Sequence, residues 1–118
     1  VVAFENCGGI KGNEGMVDEN ADDIYMALAE RYMNIPCSCM TPNQGRFDLL
    51  GQIIEDYKAD AVVEIVLQAC HTYALEGNKV RDYVNKEHDI PYLAIETDYS
   101  SEDVGQITTR VTALIEML

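Results

Sequence analysis

The chain has 118 residues, with 21 Asp and Glu against 8 Lys and Arg, and a formal net charge of −13 at pH 7. A surface this acidic repels phosphate, which excludes nucleic acids and anionic membranes as partners. No apolar run approaches the roughly 20 residues of a membrane span. An apolar share of 47% with 25% charged residues is typical of one globular domain, expected here over residues 1–118.

Three short runs, at residues 1–5, 61–67 and 92–96, predict strands. Each is rich in β-branched or aromatic residues, and its nearly continuous apolar character is typical of strands that a parallel sheet buries on both faces. The first run opens the chain, and the last six residues are apolar except for Glu116. Chain ends are usually polar, so this pattern favours a domain cut from a longer protein.

Helical patterns occupy the intervals between these runs. Apolar residues and helix formers predict four helices, around residues 24–32, 47–57, 72–86 and 104–118. In the third helix, Leu75 and Tyr83 are expected to face inward. The alternation of strands and helices predicts an α/β fold, a three-layer Rossmann-like or flavodoxin-like domain with a short, mostly parallel sheet flanked by helices.

Ligands of open α/β sheets gather beyond the carboxyl ends of the strands, and two cysteines fall there. Cys7 follows the first predicted strand and Cys70 follows the second, while Cys37 and Cys39 lie in a proline-bounded, non-helical stretch at 36–43. This usage favours free thiols or metal ligands over disulfides, although the spacing matches neither a zinc ribbon nor a ferredoxin. Cys70 is the strongest candidate, because a helix N-terminus stabilises a thiolate and suits an anionic iron–sulfur cluster.

Glycines and carboxylates near the strands leave alternatives open. The pair Gly8-Gly9 serves either a tight turn or the close approach of a phosphate. Glu5 and Glu96 either belong to a site at the edge of the sheet or are strand-end residues that reach solvent. Glu64 lies within an apolar strand, where a carboxylate is costly unless it is paired.

Two histidines and one arginine have ordinary structural explanations. His71 is adjacent to Cys70, and neighbours on a helix point about 100° apart, so a direct Cys–His pair is not expected. His88 is predicted to be a solvated loop residue, and Arg110 to form an ion pair on the surface of the last helix.

Six blocks of sequence together resemble one family. They are residues 5–9 (ENCGG), 35–40 (IPCSCM), 68–73 (QACHTY), 90–100 (IPYLAIETDYS), 105–111 (GQITTRV) and 116–118 (EML). The chain resembles the C-terminal domain of subunits of the 2-hydroxyacyl-CoA dehydratase and benzoyl-CoA reductase family, of the 2-hydroxyglutaryl-CoA dehydratase D-component type. The likeness extends over essentially the whole chain.

The resemblance implies a much longer, two-domain, cytoplasmic subunit that works anaerobically with a paralogous partner subunit. Each such subunit holds a [4Fe–4S] cluster through three cysteines, and Cys70 matches the cysteine that the C-terminal domain contributes. Three more cysteines match family blocks and stay open as further cofactor-binding residues: Cys7, Cys37 and Cys39. An ATP-hydrolysing iron–sulfur activator supplies one electron. The acyl-CoA substrate forms a ketyl radical anion, and (R)-2-hydroxyacyl-CoA loses water to give 2-enoyl-CoA.

The same resemblance leaves other functions open. Related branches reduce aromatic thioesters, as in benzoyl-CoA reductase, or reduce small molecules at a double-cubane cluster, and a non-catalytic iron–sulfur or electron-transfer module is a further alternative. Because the other cluster ligands belong to the missing domain, the isolated domain is expected to lack the cluster and to be inactive. The exception would be a local site formed by the four cysteines themselves.

Overall fold

The computed structural model describes residues 1–98 and 100–118, so Tyr99, in the run at 90–100, lies outside the described residues. The chain divides into two compact units, Val1–Leu50 and Gly51–Leu118. The described residues form five α-helices and a two-stranded parallel sheet, which makes the protein a mixed α/β protein, as predicted. The elements in chain order are α1 Ile10–Asn13, α2 Ile24–Met33, α3 Gln44–Asp56, β1 Val62–Leu67, α4 His71–Tyr83, a π-helical turn Val84–His88, β2 Tyr92–Thr97 and α5 Val104–Glu116.

The first unit begins with an irregular segment, so the strand predicted at residues 1–5 is wrong. A strand requires hydrogen bonds to a neighbouring strand, and here the Phe4 carbonyl instead accepts the N–H of Ile10 at 3.1 Å, where α1 begins. Later in this unit, α2 starts where predicted. The Asp23 carboxylate caps it by accepting from the N–H groups of Tyr25 and Met26.

The second unit contains the sheet. β1 and β2 run parallel, with Val62 opposite Tyr92 and Leu67 opposite Thr97, which confirms two of the predicted strands and their direction. Ile95 is only 2% exposed and lies at the centre of the sheet. The near-continuous apolar runs at 61–67 and 92–96 therefore indicated these strands correctly.

The helix predicted over residues 72–86 is regular α-helix only to Tyr83 and continues as the π-helical turn. Its buried residues are Val80 and Val84, whereas Leu75 is 78% exposed and does not face inward. The helix was predicted correctly, but the assignment of Leu75 to its buried face was wrong, because Val80 and Val84, one turn apart, define that face.

Arg110 of α5 binds the backbone of the sheet rather than forming the predicted surface ion pair. Its Nη2 atom donates to the Ala94 carbonyl at 2.5 Å. The Pro91 and Thr97 carbonyls accept the N–H groups of Val62 and Gln68, on the side of β1. Carbonyls alternate in direction along a strand, so the Ala94 carbonyl points to the opposite edge. The guanidinium thus covers an edge of β2 that would otherwise be open to pairing with another strand.

His88 is half-buried, which contradicts its predicted place in a solvated loop. Its ring meets the Tyr83 ring edge-on, with centroids 5.3 Å apart, and its Nε2 atom is buried without a hydrogen-bond partner. Gly51 of α3 packs against this pair. The π-helical turn places the ring here, one residue before Asp89, whose backbone is left-handed with a φ of 52°.

This packing predicts that Gly51→Ala destabilises the protein. A methyl group at Gly51 would collide with the Tyr83 hydroxyl and lie 3.2 Å from His88 Nε2. We expect the free energy of unfolding, measured by urea denaturation, to fall by about 1–3 kcal/mol. Gly105→Ala is the matched control, because that helical glycine has no atom within 4 Å of the new methyl group. It should raise stability by about 0.5–1 kcal/mol, and an equal gain at both positions would show that the site at Gly51 is not close-packed.

Candidate functional site

Cys70 lies at the junction between β1 and α4. Its N–H donates to the Leu67 carbonyl at 2.9 Å, which closes a turn in which Ala69 takes a left-handed φ of 66°. Cys70 is the N-cap of α4 and is half-exposed, and its Sγ atom lies 3.7 Å from the Thr72 hydroxyl oxygen. The structure therefore places this thiol where the sequence predicted it, at the carboxyl end of a parallel strand and the start of a helix.

The N-terminus of α4 surrounds Cys70 with backbone N–H groups and with the positive end of the helix dipole. The first N–H groups of α4 have no partner within the helix and point toward the cap, and the 13-residue helix adds its dipole. The first turn of α4 contains no acidic residue, and His71 lies exposed on the helix surface. Thr72 supplies a hydroxyl that can donate to the sulfur.

Polar residues line a small cavity of about 110 Å³ at the same edge of the sheet: Gln68, Glu96, Thr97, Asp98 and Asp103. Hydrogen bonds from the Ser100 side chain and backbone N–H lower the pKa of Asp98, with the N–H at 2.6 Å from the carboxylate. Glu96 therefore lines a cavity at the edge of the sheet and is also exposed, so both alternatives that the sequence left for it stay open.

Glu64, the carboxylate that the sequence places inside an apolar strand, has a hydrogen-bond partner. Glu64 lies within β1 and accepts a short hydrogen bond from the Tyr92 hydroxyl of β2. Gly77 of α4 passes directly over this pair, and a side chain there would approach the Glu64 carboxylate to 2.8 Å. Glu64 is thus a paired structural carboxylate at the interface of sheet and helix.

Glu5 is the centre of a buried ion cluster in the first unit, not a residue of the sheet edge. One carboxylate oxygen lies 3.4 Å from the Lys11 ammonium and the other 3.2 Å from the Arg46 guanidinium. The Lys11, Arg46 and Glu5 side chains are 1%, 4% and 14% exposed. Sequence reasoning missed both cations. Arg46 precedes the buried Leu49 and Leu50 by three and four residues, a helical spacing that places it on the buried face of α3.

Cys37 and Cys39 lie in the non-helical stretch predicted at 36–43. The Asn43 side-chain amide and the Met40 N–H both donate to the Cys37 carbonyl, at 2.9 and 3.0 Å. Hydrogen bonds from the backbone N–H and then the thiol of Cys39 lower the pKa of Cys37, and the charge of Lys11 lowers it further. The pKa of Cys39 is raised, because its thiol proton is held by the Cys37 sulfur.

Cys7 is exposed and lies in the turn that precedes α1. Asn6 organises this turn through its side-chain and backbone oxygens, which accept the N–H groups of Gly8 and Gly9 at 3.0 and 3.1 Å. A side chain at Gly9 would collide with the Phe4 carbonyl. The turn interpretation of the two glycines is therefore confirmed, with a steric reason for the second.

The described residues contain no group of three or more His, Cys, Asp or Glu side chains that could hold a metal ion. The alternative of a local four-cysteine site therefore has no support in the part of the chain that the structure describes. Over the same residues, no helix is long and apolar enough to cross a membrane.

A half-exposed cysteine between a parallel strand and a helix N-terminus defines this protein as an α/β protein with a candidate thiolate ligand. The sequence model of one family, 2-hydroxyglutaryl-CoA dehydratase, D-component, matches residues 1–118, and the chain therefore belongs to that family. It is also 53% identical over 118 residues to a protein of Escherichia coli (strain K12) described as "Putative dehydratase subunit YjiM". The match covers 100% of this chain and 30% of that relative.

Proposed function

We propose that this chain is the C-terminal domain of an iron–sulfur subunit of a 2-hydroxyacyl-CoA dehydratase-type enzyme. In this proposal Cys70 is one ligand of the subunit's [4Fe–4S] cluster. The observation that carries the proposal is the position of Cys70, at the exit of β1 and the N-terminus of α4, in a chain that matches the D-component family over its full length. The relative's description as a dehydratase subunit supports the same reaction class.

The residues present fit one cluster ligand and no more. Cys70 is half-exposed at the N-terminal N–H groups of α4, and the Thr72 hydroxyl lies within hydrogen-bond distance of its sulfur. When bound, a [4Fe–4S] cluster supplies one-electron transfer to the thioester substrate. The role of this chain is to hold the sulfur at the start of α4 and to present a helix N-terminus to the negative charge on the cluster.

The remaining parts of the enzyme are proposed to come from outside this chain. The chain spans 30% of the dehydratase subunit that it matches. The other cluster ligands, the acyl-CoA pocket, the paralogous subunit and the ATP-dependent activator all belong to that proposal. With a net charge of −13, this chain is also poorly suited to bind the phosphates of CoA, so a basic surface for them would lie elsewhere.

We further propose that the sheet of the complete subunit is wider than two strands, as in a three-layer Rossmann-like or flavodoxin-like domain. Alternate residues of β1, namely Val63, Ile65 and Leu67, are exposed apolar side chains on one face of the strand. A parallel sheet normally has both faces covered. The exposed apolar face of β1 therefore supports an architecture with a further layer over the sheet. The proposed cluster also suits an oxygen-free cytoplasm as the location of the subunit.

The test is iron and sulfide analysis after anaerobic reconstitution of two proteins, the full-length subunit and the 118-residue chain. We expect a [4Fe–4S] cluster on the former and no stoichiometric cluster on the latter, since the chain contributes a single ligand. A stoichiometric cluster on the 118-residue chain would refute the one-ligand assignment. Assays of the subunit with its partner and activator, on (R)-2-hydroxyacyl-CoA and on aromatic CoA thioesters, then distinguish a dehydratase from a reductase.

A further inference from the structure

A second, larger cavity, of about 440 Å³, lies in the second unit between the amino end of β2 and one face of α5. Its volume is within the range of pockets that hold small molecules. Neither Cys70 nor Thr72 contributes to it, so the proposed cluster site leaves it without a role. Most of its lining is apolar: Pro91, Leu93, Ala113, Leu114 and Met117.

One face of α5 forms a wall of this cavity. Arg110, Ala113 and Met117 all line it, and their spacing of three and four residues places them on the same side of the helix. Leu114 is only 8% exposed and closes the wall from behind, whereas Met117 is 72% exposed. The wall therefore combines a packed leucine with an unbranched methionine side chain that can adapt to the shape of a ligand.

Among the described residues that line the cavity, Arg110 is the single charged one. Its Nη2 atom donates to the Ala94 carbonyl, and no carboxylate in the described part of the chain forms an ion pair with it. A guanidinium has five N–H donors, so several remain for a ligand. In a chain with a net charge of −13, a cation within an apolar pocket is a local feature that attracts an anion.

We propose that this cavity binds a small monocarboxylate with an apolar body. The planar carboxylate matches the guanidinium of Arg110, which can donate two parallel N–H bonds to it. The amide of the exposed Asn85, also at the cavity, is a further donor. The apolar residues of the cavity cover the hydrocarbon part. A phosphate fits less well, because its second negative charge costs more beside apolar walls and in so acidic a chain.

The cavity lies at the opposite end of the sheet from Cys70. Leu93 pairs with Val63 near the amino ends of the two parallel strands, whereas Cys70 follows the carboxyl end of β1. A carboxylate bound beside Arg110 would therefore not contact the Cys70 sulfur. Binding at the cavity and the role of Cys70 as a cluster ligand can thus be tested independently of each other.

The experiment follows the methyl resonance of Met117 by NMR in the full-length subunit, isotopically labelled at its methionine methyl groups. Met117→Leu assigns the resonance, which restricts the readout to this cavity. The probes are octanoate and octanol, which share a chain length and differ in charge. We expect octanoate to shift the resonance saturably, with a Kd about ten-fold or more below that of octanol, because charge-assisted hydrogen bonds are added to the same apolar contact.

Two variants separate the charge from the apolar wall. Arg110→Met keeps an unbranched side chain but removes the charge, so octanoate should lose its preference while octanol binds as in the wild type. Ala113→Phe fills the cavity and retains Arg110, so it should abolish the saturable shift with both probes. Gly105→Ala, on the same helix and away from the cavity, is the matched control and should bind both probes like the wild type.

Three results would overturn the proposal. They are the absence of a saturable shift with octanoate in the wild type, a preference for octanoate that survives in Arg110→Met, and wild-type binding in Ala113→Phe. Loss of octanol binding in Arg110→Met would also overturn it, because the arginine would then act through packing and not through its charge. Iron content, which tests the Cys70 proposal, should be the same in all of these proteins.

Discussion

Glu5→Gln is expected to lower the free energy of unfolding by about 3 kcal/mol. The substitution keeps the size of the side chain but removes the carboxylate charge that compensates Lys11 and Arg46, whose side chains are almost fully buried. Breaking a buried ion pair by removing one partner costs about 3–5 kcal/mol, because a charge is left without compensation. The lower end of that range applies, since Glu5 retains 14% exposure. Urea denaturation followed by circular dichroism measures the loss.

The matched control is Asp82→Asn. Asp82 also has two cationic partners, Arg81 at 3.4 Å and Lys86 at 3.3 Å, but its side chain and theirs are half or more exposed. Exposed pairs are screened by water, so no measurable loss is expected there. Adding Lys11→Met to Glu5→Gln should restore part of the stability, because it removes one of the two buried cations that the Glu5 carboxylate contacts. Equal stability of Glu5→Gln and Asp82→Asn would contradict the buried-cluster assignment.

Local order along the chain explains which parts of the structure the sequence could predict. β1, the turn at Cys70 and α4 follow one another within a few residues, so apolar runs and a helix-starting cysteine were enough to place the candidate ligand. The run at residues 1–5 has the same apolar character as β1. Whether it forms a strand depends on a hydrogen-bonding neighbour, and composition does not identify one.

Contacts between distant residues account for what the sequence could not predict. Glu5 and Arg46 are 41 residues apart, and nothing near Glu5 in the chain indicates that its partner lies on α3. His88 is a similar case, because its polar neighbours suggest a solvated loop, whereas the π-helical turn carries its ring against Tyr83. Tertiary packing overrides local polarity at both places.

Cys70→Ser in the full-length subunit is expected to abolish both the cluster and the dehydratase activity. Serine occupies nearly the same volume, so α4 should still form, while a hydroxyl does not replace a thiolate as a ligand of iron in the cluster. Iron and sulfide content, and the visible absorption of the reconstituted protein, should fall to a small fraction of the wild-type values. Circular dichroism of the cluster-free proteins should remain unchanged, which separates the loss of a ligand from misfolding.

Two controls make the loss at Cys70 interpretable. Cys39→Ser removes a thiol of the other unit and should retain the cluster, because the proposal assigns Cys70 alone as the cluster ligand of this chain. Leu75→Ala alters an exposed side chain of α4 close to Cys70, and it should also retain the cluster. Wild-type iron content in Cys70→Ser would remove the basis for the proposed ligand. Loss of iron in Cys39→Ser as well would assign a thiol of the first unit to the cluster and contradict the one-ligand proposal.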